Sequence, residues 1–187
     1  MSFLDPRHAP EDEARALPGD DVLPAAKAQA THHIDIDAPP DRIWPWLVQM
    51  GCRRGGWYSY DQLDNAGVAS ADHIVPELQN LAVGDLLPMR PDDPGGVAVL
   101  VLDAPRTMVL GTPLPPPGEP TPPGPRATWA FALEPIGGDA TRLFVRVRAE
   151  YEPTLAATLL SPIVRVMHEI MERKQLRTLK QRAEAGD

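Results

Sequence analysis

The sequence predicts an α+β fold in which an antiparallel sheet packs on one long C-terminal helix. Three observations predict it. Apolar residues alternate with polar ones through Thr31–Asp37, Thr128–Leu133 and Thr141–Tyr151, the period of a strand with one covered face. Gly137-Gly138-Asp139 joins the last two segments as a hairpin turn. From Pro153 to Ala185 the period becomes helical. Leu155, Leu159, Leu160, Ile163, Val164, Val166, Met167, Ile170 and Met171 then share about half of the helical circumference.

Taken in order, residues 1–26 are rich in Pro, Ala and acidic groups and poor in large apolar ones. Such a segment buries too little to offset its ordering entropy, so a mobile tail is expected before a single domain over 27–185. In Thr31–Asp37, His32, Ile34 and Ile36 share one face and His33, Asp35 and Asp37 the other. Ala38-Pro39-Pro40-Asp41 starts a helix, Ile43, Leu47 and Met50 follow at helical spacing, and Gly51 ends it; Pro45 is expected to kink it. Val97–Leu102 and Thr107–Leu110 read as strands. Pro113–Pro125 holds eight prolines in thirteen residues, which removes ladder donors and makes it a loop. In the last strand Leu143, Val145, Val147, Ala149 and Tyr151 face one way. Arg142, Arg146, Arg148 and Glu150 face the other, expected to be solvated. On the helix, Arg165, Glu169 and Glu172 lie opposite the apolar stripe. After Met171 the stripe turns polar, so the last turns are expected to overhang the sheet.

A net charge of -8 argues against a nucleic-acid partner, which needs a clustered basic surface. Cys52 is the single cysteine, which excludes an intrachain disulfide and fits a reducing compartment. No apolar run is long enough to span a bilayer, and Met1–Ala16 has none of the apolar core of a signal peptide, so a cytoplasmic protein is expected. No zinc-ligand spacing occurs, and His32 and His33 point oppositely on a strand, so neither metal nor cofactor is expected. No pattern fixes an oligomeric state.

Five of the seven Trp and Tyr residues crowd into Trp44–Tyr60 beside the glycine-rich Gly51–Gly56 turn. Aromatics so placed suggest a cavity wall. Trp57, Tyr58 and Tyr60 are candidates for its mouth, Met89, Met108, Trp129 and Phe131 for the sheet side, and Met167 and Met171 for the helix side. The alternative for each is plain core packing. Arg53, Arg54 and His73 are candidates for a polar entrance. His32, on the apolar face of its strand, is the candidate general acid or base, with a satisfied core histidine as its alternative. His168 and the Asp61/Asp64 pair read as exposed helix positions.

The chain resembles the SRPBCC superfamily, which includes START, Bet v1-like and polyketide cyclase/dehydratase-related proteins. Three blocks carry the resemblance: Ala-Pro-Pro-Asp-Arg-Ile-Trp-Pro-Trp-Leu-Val-Gln-Met-Gly (38–51), Arg-Gly-Gly-Trp-Tyr-Ser-Tyr-Asp (54–61) and Ala-Asp-His-Ile-Val-Pro-Glu-Leu-Gln (71–79). They are similar to an uncharacterised bacterial subgroup, with His73 where arginine is expected. The resemblance covers about residues 30–184. It implies a helix-grip, Bet v1-like fold, a curved sheet around the terminal helix with a cavity between them. It also implies a hydrophobic or amphipathic ligand such as a lipid or polyketide. A cyclase or dehydratase acting on a polyketide-like substrate is the second expectation. A protein-interaction module that offers Pro113–Pro125 to a proline-binding partner is the third.

Overall fold

The computed structural model describes residues 6, 9–93, 95–116, 118–151 and 155–185, the side chains of 155–165 excepted. Helix α1 (Pro10–Ala14) precedes strand β1 (Ala28–Ile36), helix α2 (Pro40–Val48) and the single turn α3 (Asp61–Asp64). Strands β2 (Leu86–Leu87), β3 (Val97–Asp103), β4 (Thr107–Gly111), β5 (Arg126–Gly137) and β6 (Ala140–Glu150) lead to helix α4 (Leu155–Ala185). The strands form one antiparallel sheet in the order β1-β6-β5-β4-β3-β2. The sheet is curved and packs on α4: the fold is a helix grip.

Strand alternation decides what each face buries. Ile34 and Ile36 of β1, Leu143 and Val145 of β6, Phe131 and Leu133 of β5 and Met108 and Leu110 of β4 form the inner face. Against them pack Ile43, Trp46 and Leu47 of α2 and Leu176, Leu179 and Ala183 of α4. The last turns of α4 therefore do not overhang the sheet. They hold the core, while Val166, Met167 and Ile170 of the expected stripe are exposed. Leu155, Leu159, Leu160, Ile163 and Val164 lie outside the described side chains. The buried face of α4 is partly polar, and its polar members have partners. Lys180 Nζ donates to the Asp35 carbonyl at 2.6 Å, and Gln175 Nε2 to the Trp57 carbonyl at 2.9 Å. Satisfied polar groups cost little to bury, so the face that packs need not be the most apolar one.

The charged outer face of the sheet is not solvated either. Residues 9–26, expected as a mobile tail, lie across it. Leu17 packs on Ala132 and Phe144. Asp12 meets His33 Nδ1 at 2.6 Å. Arg146, 1% exposed, donates to the carbonyls of Asp12 and Arg15, to Thr31 Oγ1 and to Asp20 Oδ2 at 2.5–2.9 Å. Gly19 has a φ of 92°, and a Cβ there would stand 2.6 Å from Val109 Cγ2, so only glycine lets this segment lie on β4. The segment is held by polar groups, which a count of large apolar residues does not register.

Among the described residues no helix is long and apolar enough to cross a membrane. The described part of Pro113–Pro125 joins β4 to β5 without forming helix or strand.

Candidate functional site

A cavity of about 330 Å³ opens between the sheet and the middle of α4. Small residues on the sheet side leave the room: Gly111 at the end of β4 and Thr112 after it, Ala127 and Thr128 at the start of β5. A Cβ at Gly111 would stand 2.7 Å from both the Ala127 carbonyl and Leu100 Cδ1, so the backbones approach there as only glycine permits. Val147 and Trp129 complete the sheet wall, Met89 and Val97 one side, and His168, Met171, Glu172 and Gln175 of α4 the other. Trp57, Ser59 and Asp64 close it from the segment after α2.

That segment is shaped by its glycines and clamped to α4. Gly51 and Gly56 pair through both backbone N–H groups, and Ser70 leaves no room for a Cβ at Gly56, whose φ is 80°. Ser59 Oγ then donates to the Met171 carbonyl at 3.0 Å, alongside the Gln175–Trp57 bond. So fixed, Trp57 stacks on Trp129, with ring centres 5.4 Å apart and planes inclined by 24°. Trp129 in turn meets Phe131 at 5.0 Å and His168 at 6.5 Å.

Polar atoms lie behind this apolar lining. Both Asp64 carboxyl oxygens, Gln175 Oε1 and the indole nitrogens of Trp57 and Trp129 are buried without a hydrogen-bond partner among the described residues. Burial, with the Asp61 charge beside it, pushes the Asp64 pKa up to about 6. Glu172 is buried between two histidines: His32 Nδ1 lies 3.2 Å from Oε1 and His168 Nδ1 3.3 Å from Oε2. The second contact is an ion-pair contact without hydrogen-bond geometry. Burial alone would raise the Glu172 pKa; the two histidines outweigh it and the net shift is downward. The bond to Glu172 raises the His32 pKa against the opposing effect of burial. The three groups form one ionisable cluster, with His168 and Glu172 on the cavity wall. Among the described residues no cluster of His, Cys, Asp or Glu is arranged to hold a metal ion.

Of the sequence candidates, the structure brings Trp57, Met89, Trp129 and Met171 together on the cavity. Met108 and Phe131 are fully buried in the core beneath it. Tyr58 is core as well: its hydroxyl accepts a 2.8 Å bond from Gln49 Nε2, and burial drives its pKa upward. Tyr60 and Met167 are exposed and off the lining. Arg54 donates to the carbonyls of Met50, Val48 and Leu78 and ties the segment together; it is off the cavity lining. Arg53 is exposed, and His73 is exposed beside Asp72 at 3.0 Å. His32 sits behind Glu172 rather than on the lining. The reasoning from sequence missed Asp64, Glu172, Gln175, Ser59 and His168. One signal for the helix residues was present: His168, Glu172 and Gln175 fall at spacings of four and three, one face of α4.

No protein-family model matches the chain, and no curated protein matches it. Solved structures do. The di-domain ARO/CYC StfQ from the steffimycin biosynthetic pathway superposes with a TM-score of 0.51 at 15% identity, over 89% of this chain and 54% of StfQ. This chain thus spans about half the length of that protein. Structural-genomics proteins from Mesorhizobium loti (TM-score 0.45, 16% identity, 86% of this chain and 99% of that one) and Arthrobacter aurescens (0.47, 14%, 84% and 87%) also match. At these identities the likeness to StfQ shows the shared fold and no more.

Proposed function

We infer that this protein is an SRPBCC-type binder of an amphipathic, lipid- or polyketide-like small molecule held between the sheet and α4. One observation carries the reading: an apolar cavity of about 330 Å³ is walled by a stacked tryptophan pair. That volume lies within the range of small-molecule sites, and apolar, aromatic walls are what such sites use. The neutral dye N-phenyl-1-naphthylamine should bind saturably, read by its fluorescence. Val147→Trp, which fills the cavity from β6, should weaken binding about tenfold or more, equivalent to about 1.4 kcal/mol. Absence of saturable binding by the wild-type protein would reject the reading.

The His32–Glu172–His168 cluster favours a second reading, an enzyme of cyclase or dehydratase type. Here His168, on the cavity wall, exchanges the proton with substrate. Glu172, held in turn by His32, is a positioning residue for its ring. A β-polyketone chain incubated with the protein should lose water or cyclise faster than with His168→Ala, as followed by mass spectrometry. Equal rates would remove the cluster from any reaction.

A further inference from the structure

Helix α4 buries one side and leaves another uncovered. Towards its C-terminal end it buries Glu172, Leu176, Leu179 and Ala183 against α2 and β1. At about 100° per residue, Val166, Met167 and Ile170 lie on the far side of the helix from that group. All three are close to half exposed. Single apolar side chains on a surface are ordinary, but three in one row of a helix make a patch.

In the sequence the row runs further. Leu159, Ile163, Val166 and Ile170 follow at intervals of four, three and four, the spacing of a seam that meets a second helix. That series reads the same from either end. An antiparallel copy therefore sets position 163 against 166 and position 159 against 170, the self-complementary contact of a two-fold interface. The charges agree. Glu150 and Glu152 precede the helix, and the exposed Lys174 follows Ile170 by one turn. Antiparallel pairing brings the acidic end of one copy to the basic end of the other, whereas parallel pairing sets like against like. Glu169, beside the row, is offset by Arg173 at 2.7 Å. A bilayer fits less well, because helices that lie on membranes carry many Lys and Arg on one face and Trp, Phe or Leu on the other. Residues 155–171 hold Arg165 as their only Lys or Arg and no Trp, Tyr or Phe, and a chain of net charge -8 is repelled by an anionic leaflet.

We propose that α4 pairs with α4 of a second copy of this chain, antiparallel and about a two-fold axis, through the row that contains Val166 and Ile170. The pairing uses the side of α4 away from the sheet, so His168 and Met171 stay on the cavity wall. It holds whether or not the cavity takes a guest.

Sedimentation equilibrium of the full chain at micromolar concentration should return twice the 20.4 kDa chain mass. Ile170→Glu should weaken self-association about a hundredfold, because a two-fold contact buries the new charge twice. Its thermal midpoint should stay near that of the wild type, since the side chain is half exposed within one chain. On oxidation, Ile170→Cys should cross-link to Leu159→Cys and not to itself, because antiparallel pairing holds two copies of position 170 about 16 Å apart along the helices. A wild-type protein that stays monomeric overturns the proposal, and its sedimentation with phosphatidylserine vesicles would assign the row to a membrane surface instead. A dimer that Ile170→Glu leaves intact overturns the row as the interface, and self-linked Ile170→Cys overturns the orientation. The wild-type mass decides against a monomer even if a variant does not fold.

Discussion

Arg146→Leu should destabilise the fold by about 3 kcal/mol, the lower end for breaking a buried ion pair, because Asp20 keeps some solvent. The guanidinium satisfies two backbone carbonyls, a threonine hydroxyl and a carboxylate at once. Leucine fills similar space and satisfies none of them. Either the Asp12 and Arg15 carbonyls lose this donor while still covered, or residues 9–26 lift off the sheet. Arg148 loses by the same movement, since it shares Asp20 and also reaches the Leu23 carbonyl. Urea denaturation reads the stability, and limited trypsin digestion reads exposure of the segment around Arg15. Arg142→Leu is the internal control. Its pair with Asp35 lies one-third exposed on the same face and should be worth about 1 kcal/mol or less. A midpoint for Arg146→Leu no lower than that of Arg142→Leu would contradict the account.

The contrast between those arginines shows where reading the sequence succeeds and where it stops. Alternation placed both on the outer face of β6, which is correct, because a period of two is a local property of the chain. Whether that face meets water depends on a segment more than a hundred positions earlier, which no local period encodes. The terminal helix repeats the lesson. Its extent was legible from helical spacing, but its buried half was not, because burial there is shared between Leu176, Leu179 and Ala183 and the polar Glu172, Gln175 and Lys180. Those polar residues can be buried only because His32, the Trp57 carbonyl and the Asp35 carbonyl meet them in space. At the site, Trp57 and Trp129 could be found from composition. Met108, Phe131 and Tyr58 could not be separated from them, since a wall and an interior use the same residue types.

Asp64→Asn should make the protein more stable above pH 6, an unusual expectation for a buried position. The carboxyl titrates near 6 in the folded chain against an ordinary 3.8, so the folded state holds its proton more tightly than the unfolded one. Its contribution is therefore fully favourable below about pH 3.8 and is lost as pH rises through about 6. A shift of about two units corresponds to at most about 3 kcal/mol. Solvent near the cavity should screen this to about 1–2 kcal/mol. The His32–Glu172 pair titrates too. His32, raised by Glu172, adds stability that fades as pH climbs through its folded value, and Glu172, lowered by its histidines, adds stability that fades as pH falls through its own. Both are common to the two proteins, so the difference between their denaturation midpoints at pH 4 and pH 8 isolates Asp64. Equal midpoints at pH 8 would mean that the carboxylate is not destabilised by its burial. A gain at pH 8 that vanishes at pH 4 would show that the buried charge, and not a change in packing, sets the difference.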